Sequence, residues 1–181
     1  MPVQIGQKQE SDFSNPLGLL SDCHRRIESF LSVLLKLGDR ANRDPLQPEE
    51  HSALDAALSY FRNSAPKHTA DEEVSLFPRL RTSGEAATVL DCLTRLEGDH
   101  KTAERDHQTV DELGNRWLNR GTLDPPDARS MRDALARLAE LYAKHIAIED
   151  QELFPAAGRI LAASDLAAVG QEMAERRGLK K

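Results

Sequence analysis

Four of the six histidines in this chain are followed four residues later by glutamate: His24/Glu28, His68/Glu72, His100/Glu104 and His145/Glu149. On an α-helix, residues four apart lie one turn apart on the same face. An imidazole and a carboxylate placed that way can grip one metal ion, or one of two neighbouring ions. Two of the stretches are near copies, running from His68 to Pro78 and from His145 to Pro155, with the shared pattern H-x-x-x-E-[ED]-x-x-L-F-P. They lie 77 residues apart, and His24 and His100 are separated by 76. The near-equal offsets read as a duplicated pair of helices, each pair giving one lone histidine and one H-x-x-x-E…LFP segment.

The ordinary explanation of such spacing is a surface pair worth about a few tenths of a kcal/mol. His51/Asp55 and His107/Asp111 share the spacing, so every histidine has an acid one turn on, whereas chance predicts about one such pair when acids are about one residue in six. Helix phase separates the candidates. His24, His68 and His145 lie on the apolar stripes of their helices, while His51 falls far from the phase of His68. Buried among leucines, a histidine needs a polar partner or a metal. His100 has polar flanks; His107 is in phase with His100 and Glu104. Glu28 reads as a surface or supporting residue. The candidate metal ligands are His24, His68, Glu72, His100, Glu104, His145 and Glu149.

These residues require helices to position them. Asn15-Pro16 is a start signal and Gly38 a stop, bounding an apolar stripe of Leu20, His24, Ile27, Leu31 and Leu34. Pro45 and Pro48 bracket a second start, and Pro66 must break or kink that run just before His68. A third region reads from a cap at Ser83, with a bend or new start near Leu96–Asp99, where Gly98 and Asp99 weaken the helix before His100. Asn119–Asp127 is the clearest loop. A fourth helix covers about Asp127 to Gly158, and Ser164 caps a short C-terminal helix with a frayed basic tail, Arg176–Lys181. The expected fold is all-α, an antiparallel up-down-up-down four-helix bundle with a short extra C-terminal helix. Residues 1–13 read as a flexible tail, 14–160 as the bundle and 161–181 as the C-terminal helix and tail.

Composition excludes several classes. Aromatic content of 4% and scarce β-branched runs argue against a sheet protein. A net charge of −6 disfavours nucleic acid and anionic membrane as partners. No apolar run approaches the roughly 20 residues that span a bilayer. The first ten residues lack the apolar stretch of a signal peptide. Cys23 and Cys92 make no disulfide framework and read as reduced thiols in a cytoplasmic protein.

Imidazole and carboxylate without thiolate suit iron or manganese and are compatible with zinc. No H-E-x-x-H is present, so the zinc-protease reading fails. Ferritin-like di-iron proteins need E-x-x-H on each of two helices; here Glu97-x-x-His100 and Glu104-x-x-His107 fall on one stretch, which disfavours that arrangement.

A lone histidine, an H-x-x-x-E with LFP, a third histidine and a final H-x-x-x-E with LFP resemble the hemerythrin family, specifically its HHE cation-binding branch, over about Pro16 to Gly158. The resemblance implies a four-helix bundle holding two non-haem iron ions. By position, Glu72 and Glu149 would bridge them, His24 and His68 would complete one site, and His100, His145 and Glu104 the other. The chain departs from the oxygen carriers of that family, whose third helix carries H-x-x-x-H where this chain has Glu104, and whose last carries H-x-x-x-x-D where this chain has Glu149 one residue earlier. A carboxylate-richer site favours Fe(III), moving the expectation from reversible oxygen carriage to iron handling or to sensing of O2, peroxide or redox state. The alternative is an oxidoreductase acting on O2, H2O2 or NO, with Tyr60 and Tyr142 as redox neighbours. Either reading takes a small diatomic or peroxide ligand. A third reading makes the metal a stability device.

Overall fold

The computed structural model describes residues 11–84 and 87–179, and contains no strand among them. Helix α1 spans Pro16–Gly38, with the Asn15 side chain accepting from the Gly18 N–H at 3.2 Å. Helix α2 spans Pro48–Asn63, and Glu50 accepts from the Gln47 N–H. The chain breaks at Ser64, before Pro66 as the proline requires, and resumes as α3, Ala65–Ala70. After π1 (Asp71–Leu76) and α4 (Phe77–Thr82) comes α5, Ala87–Arg120. The fourth leg is α6 (Pro125–Ile148), π2 (Glu149–Leu153) and α7 (Phe154–Ile160), followed by α8, Ala163–Arg176.

Helix α1 packs on α2 and α6, and α5 packs on the same two, which closes an antiparallel four-membered ring. At the end away from the C-terminus the two loops are tied together, Leu123 N–H to the Ala41 carbonyl and Leu46 N–H to the Gly121 carbonyl. Two apolar clusters fill the interior. One, at that end, holds Leu34, Leu54, Leu58, Trp117, Met131 and Leu138. The other holds Leu20, Phe77, Leu96, Phe154, Val169 and Met173. The buried His24, His68, Glu72, His145 and Glu149 belong to neither cluster.

Four expectations are corrected. Gly98 does not interrupt α5, because the buried contacts of Leu93, Leu96 and Ala103 outweigh a glycine cost of ~1 kcal/mol. Ser164 lies inside α8, whose first turn follows Ala162. Ser83 donates its hydroxyl to the Leu80 carbonyl at the end of α4, and the start of α5 borders residues outside the described ones. The basic tail is not frayed at Arg176 and Arg177. Both clamp the fully buried Asp71 of π1, Arg177 Nη2 at 2.7 Å from Oδ2, and Arg176 also reaches Ser75 Oγ. A buried carboxylate demands such partners.

Residues 11–13, expected as part of a tail, are packed; residues 1–10 lie outside the described ones. The Ser11 N–H donates to Asp22 Oδ2 at 2.6 Å, and the Arg177 guanidinium sits 5.8 Å from the Phe13 ring centre. Gly170 is obligatory beneath this strap: a Cβ there would lie 1.9 Å from the Phe13 carbonyl oxygen.

Candidate metal centre

Each LFP tail makes a π-turn beneath its glutamate. Proline has no N–H to return to the carbonyl four residues back, and its ring crowds that carbonyl. The turn therefore widens: Phe77 N–H bonds the Glu72 carbonyl and Phe154 N–H the Glu149 carbonyl, five residues back in both cases. Such wide turns re-aim side chains and recur at functional sites. Here they carry the two buried glutamates into the bundle axis.

Around these carboxylates the structure brings two groups together. His24, His68, Glu72 and Glu149 offer ligand atoms within 4.8 Å of one another, and so do Glu72, His100, His145 and Glu149. Both glutamates belong to both groups. Glu72 Oε1 lies 3.2 Å from His68 Nε2, and its Oε2 lies 3.3 Å from His100 Nε2. Glu149 Oε2 is 3.1 Å from His24 Nε2 and 3.2 Å from His145 Nε2.

Six of the seven residues singled out from sequence thus converge, and Glu104 does not. It is exposed on α5 and belongs to neither group. The reason is the register of α5. Its inward positions alternate by three and four residues: Leu93, Leu96, His100, Ala103, His107, Val110, Gly114 and Trp117. That seam turns inward at 103 and 107 and leaves 104 outside. His107 is on the seam but one layer away, with Nε2 2.8 Å from the Tyr142 hydroxyl. Burial lowers the His107 pKa to about 4, so a neutral ring shares this hydrogen bond with the tyrosine hydroxyl. Glu28 and His51 are exposed and outside both groups.

A set of supporting residues was not read from sequence. His24 Nδ1 is 3.0 Å from Asp150 Oδ1, His100 Nδ1 is 2.8 Å from Glu73 Oε1, and His145 Nδ1 is 3.3 Å from Asp99 Oδ2. A carboxylate can only accept, so these three rings carry their proton on Nδ1 and present Nε2 to the centre. Glu73 and Asp150 are the [ED] position of the repeated frame, which was the available signal. They act across the duplication, each holding the lone histidine of the other half. The LFP phenylalanines do the same, Phe154 stacking on His24 (5.5 Å between ring centres, 12°) and Phe77 on His100 (6.4 Å, 7°).

The fourth ring breaks the symmetry. His68 Nδ1 is buried without a hydrogen-bond partner. The counterpart of Asp99 in the first half of the sequence is Cys23, which carries no carboxylate. Replacing Asp150 by alanine, by contrast, removes a support that exists. The D150A protein is expected to hold metal about 10–100-fold more weakly, measured by competition with a chelator.

The residues present fit metal. His24 Nε2 and all four oxygens of Glu72 and Glu149 are buried with no aligned hydrogen-bond donor. His100 and His145, protonated on Nδ1, face each other through Nε2 at 3.1 Å. Two lone pairs at that distance require a cation between them, either a proton or a metal. Without metal, protons take this role. Burial opposes charge on His24 and His100, yet contacts with Asp150 and Glu149, and with Glu72 and Glu73, raise them to about 10 and about 9. Burial and the neighbouring Glu149 raise Glu72 to about 7. On Glu149 burial is outweighed by the His145 and His24 imidazoles, and its pKa is lowered.

An uncharacterized protein of Haemophilus influenzae is 25% identical to this chain across 99% of it and 100% of its own length. The model of the hemerythrin HHE cation binding domain matches residues 15–157, which takes in both LFP frames and both lone histidines. This chain therefore belongs to the hemerythrin HHE cation-binding domain family.

Proposed function

We propose that this protein holds two non-haem iron ions in its bundle core and uses them in sensing O2, peroxide or redox state, or in handling iron. The observation that carries this reading is the buried pair Glu72 and Glu149, whose four oxygens lack hydrogen-bond donors while four imidazoles converge on them. Left unpaired, such groups cost at least ~1–3 kcal/mol each. The proposed ligands are His24 and His68 for one ion, His100 and His145 for the other, and Glu72 and Glu149 shared. Glu104 is left out of the proposed set. Imidazole and carboxylate without thiolate suit iron, with manganese and zinc as the competing ions. Iron bound there would supply a redox-active Lewis acid. The chain's part is to fix the rings through Asp150, Glu73 and Asp99, and to keep bulk water out with Phe77 and Phe154.

The second reading, an oxidoreductase acting on O2, H2O2 or NO, is favoured by one observation: Tyr142 lines the same small cavity as the four histidines. Turnover above that of free iron would select it. Tyr60, the other tyrosine considered, packs instead on Phe30 and Phe61. The partner in either case is a small diatomic or peroxide molecule. No helix among the described residues is long and apolar enough to cross a membrane. A cytoplasmic location without nucleic acid as a partner is part of the proposal.

The test is titration of chelated protein with iron in a weakly buffered indicator solution. Saturation is expected at about two ions per chain. His24 and His100 hold protons at pH 7 because their pKa values lie above it. Metal must displace these protons, so at least about two should be released per chain at pH 7. Uptake should tighten as pH rises toward 9–10 and weaken as it falls. Saturation at one zinc with iron rejected would defeat the reading.

A further inference from the structure

The core of the site and the surface of the protein are separated by a thin wall. Against the four histidines lies a cavity of about 10 Å³, walled also by Ile27, Ile146, Ala65, Thr69 and Tyr142. That is about the space that one water-sized molecule needs. On the outer side of α3 and α5 lies an open cleft of about 520 Å³, with Phe61 and Val110 in its walls and Lys101 and Gln108 among its exposed ones. Ala65, Thr69, His100 and Tyr142 line both spaces. Phe77 and Phe154, stacked on His100 and His24, and Ile27 and Ile146, which line the cavity, are all buried.

Three of the four wall residues are fixed. His100 is held by Glu73, Tyr142 by His107, and Ala65 has no side chain to move. Thr69 remains, half-buried one residue after His68 on the short helix α3. Resting on the dinuclear reading above, we infer that the cleft between α3 and α5 is the route by which a small ligand reaches the histidine-lined cavity. Its cargo is a diatomic gas or a peroxide, and Thr69 sets the width of the passage. The mostly apolar cleft suits neutral molecules, and its charged rim, Glu73, Glu104 and Asp111 against Arg62 and Lys101, gives anions no advantage.

A gate differs from a contact in its kinetics. It changes association and dissociation together, because it acts on the barrier between the two spaces. The probe is nitric oxide, mixed anaerobically by stopped flow with ferrous iron-loaded protein and followed by optical absorption. At full iron content, Thr69→Trp is expected to slow association and dissociation each by about tenfold or more. Val74→Trp, at an exposed position that lines neither space, serves as control and should bind at the wild-type rate. Wild-type association by T69W at full iron content would overturn the inference, as would an altered Kd with unchanged association. If T69W does not load iron, Thr69→Cys in a Cys92→Ser background, loaded first and then modified with a bulky thiol reagent, must show the same slowing. A wild-type protein that takes up no iron would instead bring down the dinuclear reading, and this inference with it.

Discussion

Removing the metal is expected to lower the thermal midpoint by roughly 8–16 °C. Metal at about 1,000 times its Kd stabilises a protein by ~4 kcal/mol, and in a domain of this size each kcal/mol moves the midpoint by ~2–4 °C. The sign follows from the interior. Without metal, Glu72 and Glu149 are buried side by side, with only the surrounding imidazoles to offset their charge. The protons on His24 and His100 compensate only in part, because each serves one face of one carboxylate. Scanning calorimetry of chelated, native and iron-reloaded protein measures the shift. Reloading should restore the native midpoint. A midpoint indifferent to chelation would mean that the two carboxylates are neutralised some other way, and that the bundle does not need the ions.

The second large effect concerns stoichiometry. Glu149→Gln keeps the shape of the side chain but exchanges a shared anion for a neutral amide whose NH2 faces imidazoles. Because Glu149 belongs to both ligand groups, E149Q is expected to fall from about two ions per chain to well under one. His24→Ala removes a residue that belongs to one group only, and should retain about one ion. The pair of variants, compared by metal analysis after gel filtration, separates a shared centre from two independent sites. One tight ion retained by E149Q would refute the shared arrangement.

Much of this centre was legible before any coordinates. The repeated LFP frame placed His68, Glu72, His145 and Glu149, and the apolar stripe of α1 placed His24. What misled was the spacing rule that made the pattern visible. An acid four residues after a histidine shares its helix face, but α5 follows a three-four seam, on which 103 and 107 are inward and 104 is not. Reading that seam from Leu93 to Trp117 would have released Glu104. Asp99 was read as a weak point in the helix and is instead the acceptor that orients His145. The π-turns were also within reach, since Pro78 and Pro155 each withdraw an N–H one turn below a glutamate. The contacts across the duplication were not: nothing in a linear pattern says that Asp150 belongs to His24, or Glu73 to His100. That pairing exists only once the two halves are packed.

The reciprocal pairing bears on how such a chain could have arisen. Each half carries two histidines and a glutamate of its own, but borrows from the other half the second carboxylate, the acceptor for its lone histidine and the ring on which that histidine stacks. A two-helix ancestor would have had no working centre as a single chain, and a complete one only as a symmetric pair. Gene fusion would then have tied the partners together and freed the two sides to diverge. Cys23 opposite Asp99 marks one place where the two sides differ, one with a carboxylate support for its histidine and the other without.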